Sequence, residues 1–102
     1  MTVAEQFGAN LRYCRNRAGL SQEETAMRAS LHRTAISYIE RGIRTPRIDT
    51  AAKLAAVIGV DPGDLFDGIV WTPGDVRYGR FVETEVPGMG TVQRKVERPA
   101  DP

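Results

Sequence analysis

Apolar residues in the first two thirds of this chain recur at intervals of three and four, the repeat of helices that each turn one face to a shared core. Phe7, Leu11, Cys14 and Ala18 follow that spacing and predict a first helix from about Val3 to Arg17, ended near Gly19. Ser21 opens a second: its hydroxyl can accept from the Glu24 backbone N–H while the Glu24 carboxylate reaches back to the Ser21 N–H. Ala26 is small enough for another helix to cross closely, and Ile36 and Ile39 mark the buried face of that third helix, which Gly42 ends. A fourth runs from about Ile48, with Ile48, Ala51, Leu54, Ala55 and Ile58 inward and Gly59 as its stop. Asp61, Pro62 and Asp64 have the order expected at the start of a short fifth helix, and Leu65 and Phe66 are placed to close the core.

After Phe66 the pattern changes. Pro73-Gly74 reads as the centre of a type II turn, and residues 76 to 86 contain Tyr78, Phe81, Val82 and Thr84, which favour strands. Alternation there is imperfect, because Arg80 interrupts the apolar parity and Phe81 falls on the other side. A second turn at Pro87-Gly88-Met89-Gly90 and a strand over Thr91 to Val96 would complete a β-hairpin, with residues 97 to 102 frayed. The chain therefore divides into a domain over 1–66 and an extension over 67–102.

Composition narrows the possibilities. At 102 residues, a five-helix core is feasible without staples. One cysteine, Cys14, and one histidine, His32, exclude a disulfide framework and a protein-only zinc site of the usual kind, and suit a reducing cytosol. Cys14 reads as a core residue. Residues 1 to 7 hold no basic-then-apolar leader, and no run of about 18 apolar residues occurs, so a soluble cytoplasmic protein is expected. Net charge is only +1, yet Arg33, Arg41, Arg44 and Arg47 fall within fifteen residues without an intervening lysine.

Those arginines follow the run LSQEETAMRASLHRTAISYIERG, residues 20 to 42, or lie within it. Counted from Gln22, the small residue is fifth, the turn residue Ser30 ninth, and Ile36 and Ile39 fifteenth and eighteenth. This run resembles the helix-turn-helix of the Cro and phage-repressor (XRE-like) family, and the resemblance extends from about Phe7 to Phe66. It implies a mainly α fold: a five-helix repressor-like domain with a C-terminal extension. It also implies that the third helix enters the major groove of double-stranded DNA with its first residues toward base edges. Base contacts then fall on Arg33, Thr34, Ser37 and Tyr38, and backbone contacts on Gln22, Arg41, Arg44, Thr45 and Arg47. Arg33 has the chemistry to donate two hydrogen bonds to a guanine edge. Gln22 could touch a phosphate or brace another side chain, and Arg15 is expected to pair with Glu40.

Three departures from the family pattern stand out. Thr25 replaces the usual leucine, Ser30 the common turn glycine, and His32 the usual serine or threonine cap.

The expected function is sequence-specific transcriptional regulation, acting as a homodimer on a palindromic operator and associated with the nucleoid. Two rivals use the same domain: an antitoxin-type regulator whose residues 67–102 bind a toxin, and a protein-interaction adaptor without DNA binding. Trp71 and Phe81 could bind a ligand, but are better candidates for fastening the extension to the domain or to a second chain. No enzyme is expected, since neither paired carboxylates in a cleft nor a phosphate-binding glycine loop is present, and no cofactor or metal is implied.

Overall fold

The computed structural model describes residues 1–77 and 80–86, with side chains through residue 74. Four helices come first: α1 (Val3–Arg17), α2 (Gln22–Ala29), α3 (Arg33–Glu40) and α4 (Ile48–Ile58). A 3-10 turn over Pro62–Phe66 and two strands, β1 (Val70–Arg77) and β2 (Arg80–Val86), follow. Among the described residues the fold is mainly helical.

Local chemistry sets most of the helix ends. The Ser21 hydroxyl accepts from the Glu24 N–H at 3.0 Å, and Glu24 accepts from the Ser21 N–H at 3.1 Å. Thr2 and Glu5 form the same reciprocal pair at the start of α1, at 3.0 and 2.8 Å. The Thr-x-x-Glu spacing at residues 2 to 5 encodes that pair as Ser-x-x-Glu does at α2. α4 stops at Gly59, whose φ of +85° favours a residue without a side chain.

Phe7, Leu11, Ala26, Ala29, Ile36, Ile39, Ala51, Leu54, Ala55, Ile58 and Leu65 form one buried cluster drawn from all four helices and the 3-10 turn. Burial of these apolar faces supplies the main stabilisation, since helices of this length are marginal alone. Thr25 is fully buried, and its hydroxyl donates to the Ser21 carbonyl at 2.9 Å, so the polar atom that replaces a leucine methyl is satisfied within its own helix.

Several expectations change at the edges of this core. Ile48 is 91% exposed: as the first residue of α4 it lies ahead of the turns that pack on α2. Ala18 is the exposed cap of α1, and the buried stripe of that helix is Phe7, Gly8, Leu11 and Arg15, with Cys14 half-buried. Phe66 remains about half exposed while meeting Phe7 edge to face, with ring centroids 5.3 Å apart. The fifth element is a 3-10 turn rather than an α-helix, and Asp64 accepts from the Asp61 N–H at 3.1 Å at its start.

The extension departs further. Pro73-Gly74 is no turn; it lies within β1, where the pairing with β2 is irregular between Thr72 and Asp75. The strands are antiparallel, with Val70 opposite Val86 and Arg77 opposite Arg80. Val76 thus belongs to the strand before the one predicted for it, and the pairing is between residues 70–77 and 80–86. The expected second turn and the strand over Thr91 to Val96 lie outside the described residues. Asn10 holds the entry to this region: its amide donates to the Leu65 and Asp67 carbonyls at 3.0 and 2.7 Å, and its oxygen accepts from Gln6 at 3.0 Å. No described helix is long and apolar enough to cross a membrane.

Candidate nucleic-acid interface

What fixes α3 lies beneath it. Gly8 of α1 faces the Ile39 and Glu40 carbonyls so closely that any side chain there would collide with them, which brings the two helix backbones into direct contact. Beside that crossing Arg15 donates to Glu40 through Nε at 2.5 Å and Nη2 at 3.0 Å, both residues being buried. The remaining Nη1 donates to the Leu20 carbonyl at 2.8 Å, so the guanidinium spans α1, the α1–α2 connection and α3. This two-pronged geometry satisfies charges that would be costly to bury apart. Gly8 went unnoticed in the sequence, although a glycine in mid-helix is itself a sign of close backbone approach.

Gln22 completes the anchor. Its amide donates to Glu40 Oε1 at 3.1 Å, so the residue braces the base of α3 and keeps one N–H for an outside acceptor. Ser30 connects α2 to α3 in the left-handed conformation, with φ +57° and ψ +45°. A glycine would adopt it without strain, so the serine here carries a conformational cost. His32 follows as the N-cap of α3, and its side chain makes no capping bond.

The outer side of α3 presents the expected residues. Arg33 and Thr34 occupy the first turn and are exposed; Ser37 and Tyr38, one turn on, are half-buried. Arg33 makes no ion pair with a described residue, whereas the buried Arg15 is fully engaged. Past the helix, Arg41, Arg44, Thr45 and Arg47 are all exposed. The Arg41 and Arg44 guanidiniums stand 5.2 and 5.3 Å from the centre of the Tyr38 ring. Arg47 instead leans to Asp49 at 3.4 Å across open solvent, a contact of little energetic weight.

The structure thus gathers Arg33, Thr34, Ser37 and Tyr38 on one helix and Arg41, Arg44 and Thr45 at its carboxyl end. It turns Gln22 partly inward and sets Arg47 at the start of α4. Cys14 stays out of this region, and burial pushes its thiol pKa up. No group of three His, Cys, Asp or Glu converges on a metal position among the described residues.

A family model described as Helix-turn-helix matches residues 11–65, more than half of the chain. The chain belongs to this helix-turn-helix family. Control protein C.BamHI of Bacillus amyloliquefaciens is 44% identical over 62 residues, covering 60% of this chain and 76% of that protein. The uncharacterized HTH-type transcriptional regulator y4dJ of Sinorhizobium fredii is 32% identical over 77 residues, 76% of this chain and 100% of its own length. Among solved structures, the restriction-modification controller protein C.AhdI from Aeromonas hydrophila superposes with a TM-score of 0.60 at 36% identity, over 62% of this chain and 96% of that one. The matched span of this helix-turn-helix protein contains Arg15, Gln22, Glu40 and all of α3.

Proposed function

We propose that this DNA-binding transcriptional regulator reads a palindromic operator as a homodimer, and that it controls a restriction–modification system, as the name of the controller protein C.AhdI states for that relative. Arg33, Thr34 and Ser37 face base edges in the major groove; Gln22, Arg41, Arg44, Thr45 and Arg47 hold the sugar-phosphate backbone. Residues 1–66 bind DNA, and residues 67–102 supply a contact to a second copy. Its place of work is the cytoplasm, on the nucleoid. One observation carries the reading: an exposed Arg33, without an ion pair among the described residues, opens a helix whose opposite side is locked by the buried Arg15–Glu40 pair and the half-buried Gln22. A side chain that must be placed to a fraction of an ångström needs such a rigid base.

The dimer follows from affinity. One small module touches few base pairs, and specific regulators reach useful affinity through two half-sites about 34 Å apart. A two-stranded ribbon is marginal alone, and its edges suit pairing with another chain. The decisive experiment selects bound sequences from a random duplex library with the native protein and with Arg33→Ala. The native protein should return a two-fold-symmetric site, and the variant should lose preference at one base pair per half-site, about 1–3 kcal/mol of discrimination. Uniform weakening would move Arg33 to the backbone contacts, and an unselective native protein would end the operator reading.

A further inference from the structure

We infer that Tyr38 is a positioning residue, whose ring gathers Arg41 and Arg44 into one cradle for a DNA phosphodiester instead of reading a base. The inference rests on the DNA-binding role proposed above and assigns this residue a different part in it. Both guanidinium carbons lie over the same ring, at 5.2 and 5.3 Å from its centre, within the range at which the negative face of an aromatic ring attracts a cation. With the ring engaged in this way, a base has less of it to stack on.

The main chain is folded to bring this about. The Tyr38 carbonyl accepts from the Ile43 N–H at 2.9 Å and the Arg44 N–H at 3.3 Å, which turns the chain back after α3. Gly42 makes the reversal at φ +73°, pressed against α1, where a side chain would run into Glu5. Arg44, six residues beyond Tyr38, is thereby returned to the ring of the residue whose carbonyl holds its own N–H. Arg41 Nε also faces the Ser37 carbonyl, at 3.4 Å on the exposed surface.

The charge balance at this place is incomplete. Arg15 and Arg47 each have a carboxylate within 4 Å, while Arg41 and Arg44 have none among the described residues. Two like charges drawn to one ring repel, and the ring offsets only part of that. A phosphodiester supplies the missing negative charge and accepts from both planar forks. Such a contact adds affinity and salt dependence without choosing a sequence.

Two substitutions separate the ring from the hydroxyl. Tyr38→Phe keeps the platform, and Tyr38→Leu removes it. In the DNA-free protein, 15Nε relaxation of Arg41 and Arg44 should show looser side chains in the leucine variant and unchanged ones in the phenylalanine variant. In titrations with the selected operator and with random duplex, Phe should bind within about twofold of native. Leu should weaken both duplexes by the same factor, about five- to twentyfold, with a shallower salt dependence. Adding Arg41→Ala and Arg44→Ala to Leu should weaken binding by less than the product of the separate effects. Unchanged arginine relaxation in Leu, full multiplication of the effects, or loss of one base preference in Phe would each overturn the inference. Arginines that loosen in Leu, with uniformly weaker binding, in a protein that selects no sequence would leave the cradle standing and remove the operator.

Discussion

Helices α2 and α3 are eight residues each and flank the same turn, yet they begin in opposite ways. α2 starts on a reciprocal cap between Ser21 and Glu24, with two acidic residues in its first turn where the helix dipole favours negative charge. α3 starts on His32 without a side-chain cap, carries no acidic residue in its first turn, and has the cationic Arg33 as its first residue. Local chemistry defines the first helix, and tertiary contacts define the second: Gly8, Ile36, Ile39 and the Arg15–Glu40 pair hold α3 from below. The contrast follows from the proposed use. A helix start that meets DNA keeps its N–H groups and its cation available to phosphates and bases, so its stability has to come from the opposite face.

The contrast can be broken most strongly at the tertiary seat. Glu40→Ala leaves Arg15 buried without its partner and should cost about 3–5 kcal/mol in urea unfolding; a loss below about 1 kcal/mol would show that Ile36 and Ile39 suffice. Giving α3 the kind of start that α2 has should act in the other direction. His32→Asp should stabilise by about 1 kcal/mol through a new cap and at the same time weaken DNA binding, because the added carboxylate sits beside the residues proposed to face the groove and repels the negative duplex. Higher stability with undiminished binding would separate the uncapped start from function.

The smallest effect is a pH dependence. Glu24 and Glu5 are held below the ordinary carboxylate range, first by the backbone N–H bonds from Ser21 and Thr2 and next by those residues' hydroxyls. Groups whose pKa is lowered on folding stabilise above their unfolded value and lose that contribution as pH falls through the folded one. Amide NMR shifts at the starts of α1 and α2 should therefore titrate below the usual glutamate range. Those at residues 33–35 should stay still there; a matching transition in α3 would show that the two starts are coupled.

The same contrast explains what the sequence disclosed. α2 could be bounded from Ser21 and Glu24 because its cap is encoded within four residues. The seat of α3 was legible only in part. Apolar spacing identified Ile36 and Ile39, and the family resemblance identified the Arg15–Glu40 pair, but the Gly8 contact joins residues about thirty apart and has no local signature beyond the glycine itself. The motif position of Gln22 suits a phosphate contact and a brace equally, and the structure shows its amide on Glu40. Ile48 fitted the α4 repeat and is nonetheless exposed, since periodicity gives the face of a helix and not where the neighbouring helix ends. In the extension, turn chemistry misled: proline and glycine at 73 and 74 sit in an irregularity of a paired strand, where strand pairing overrides local preference. Tyr38 was read from its position in the motif, and no spacing rule indicates that two later arginines return to its ring.

The seating of Gly42 on Glu5 has a practical corollary for anyone handling this protein. Glu5 is itself held by the Thr2 cap, so the loop bearing Arg41 and Arg44 leans on the first turn of α1. Removing Thr2, or replacing it with a residue that cannot cap, would loosen Glu5 and so undercut that loop from behind.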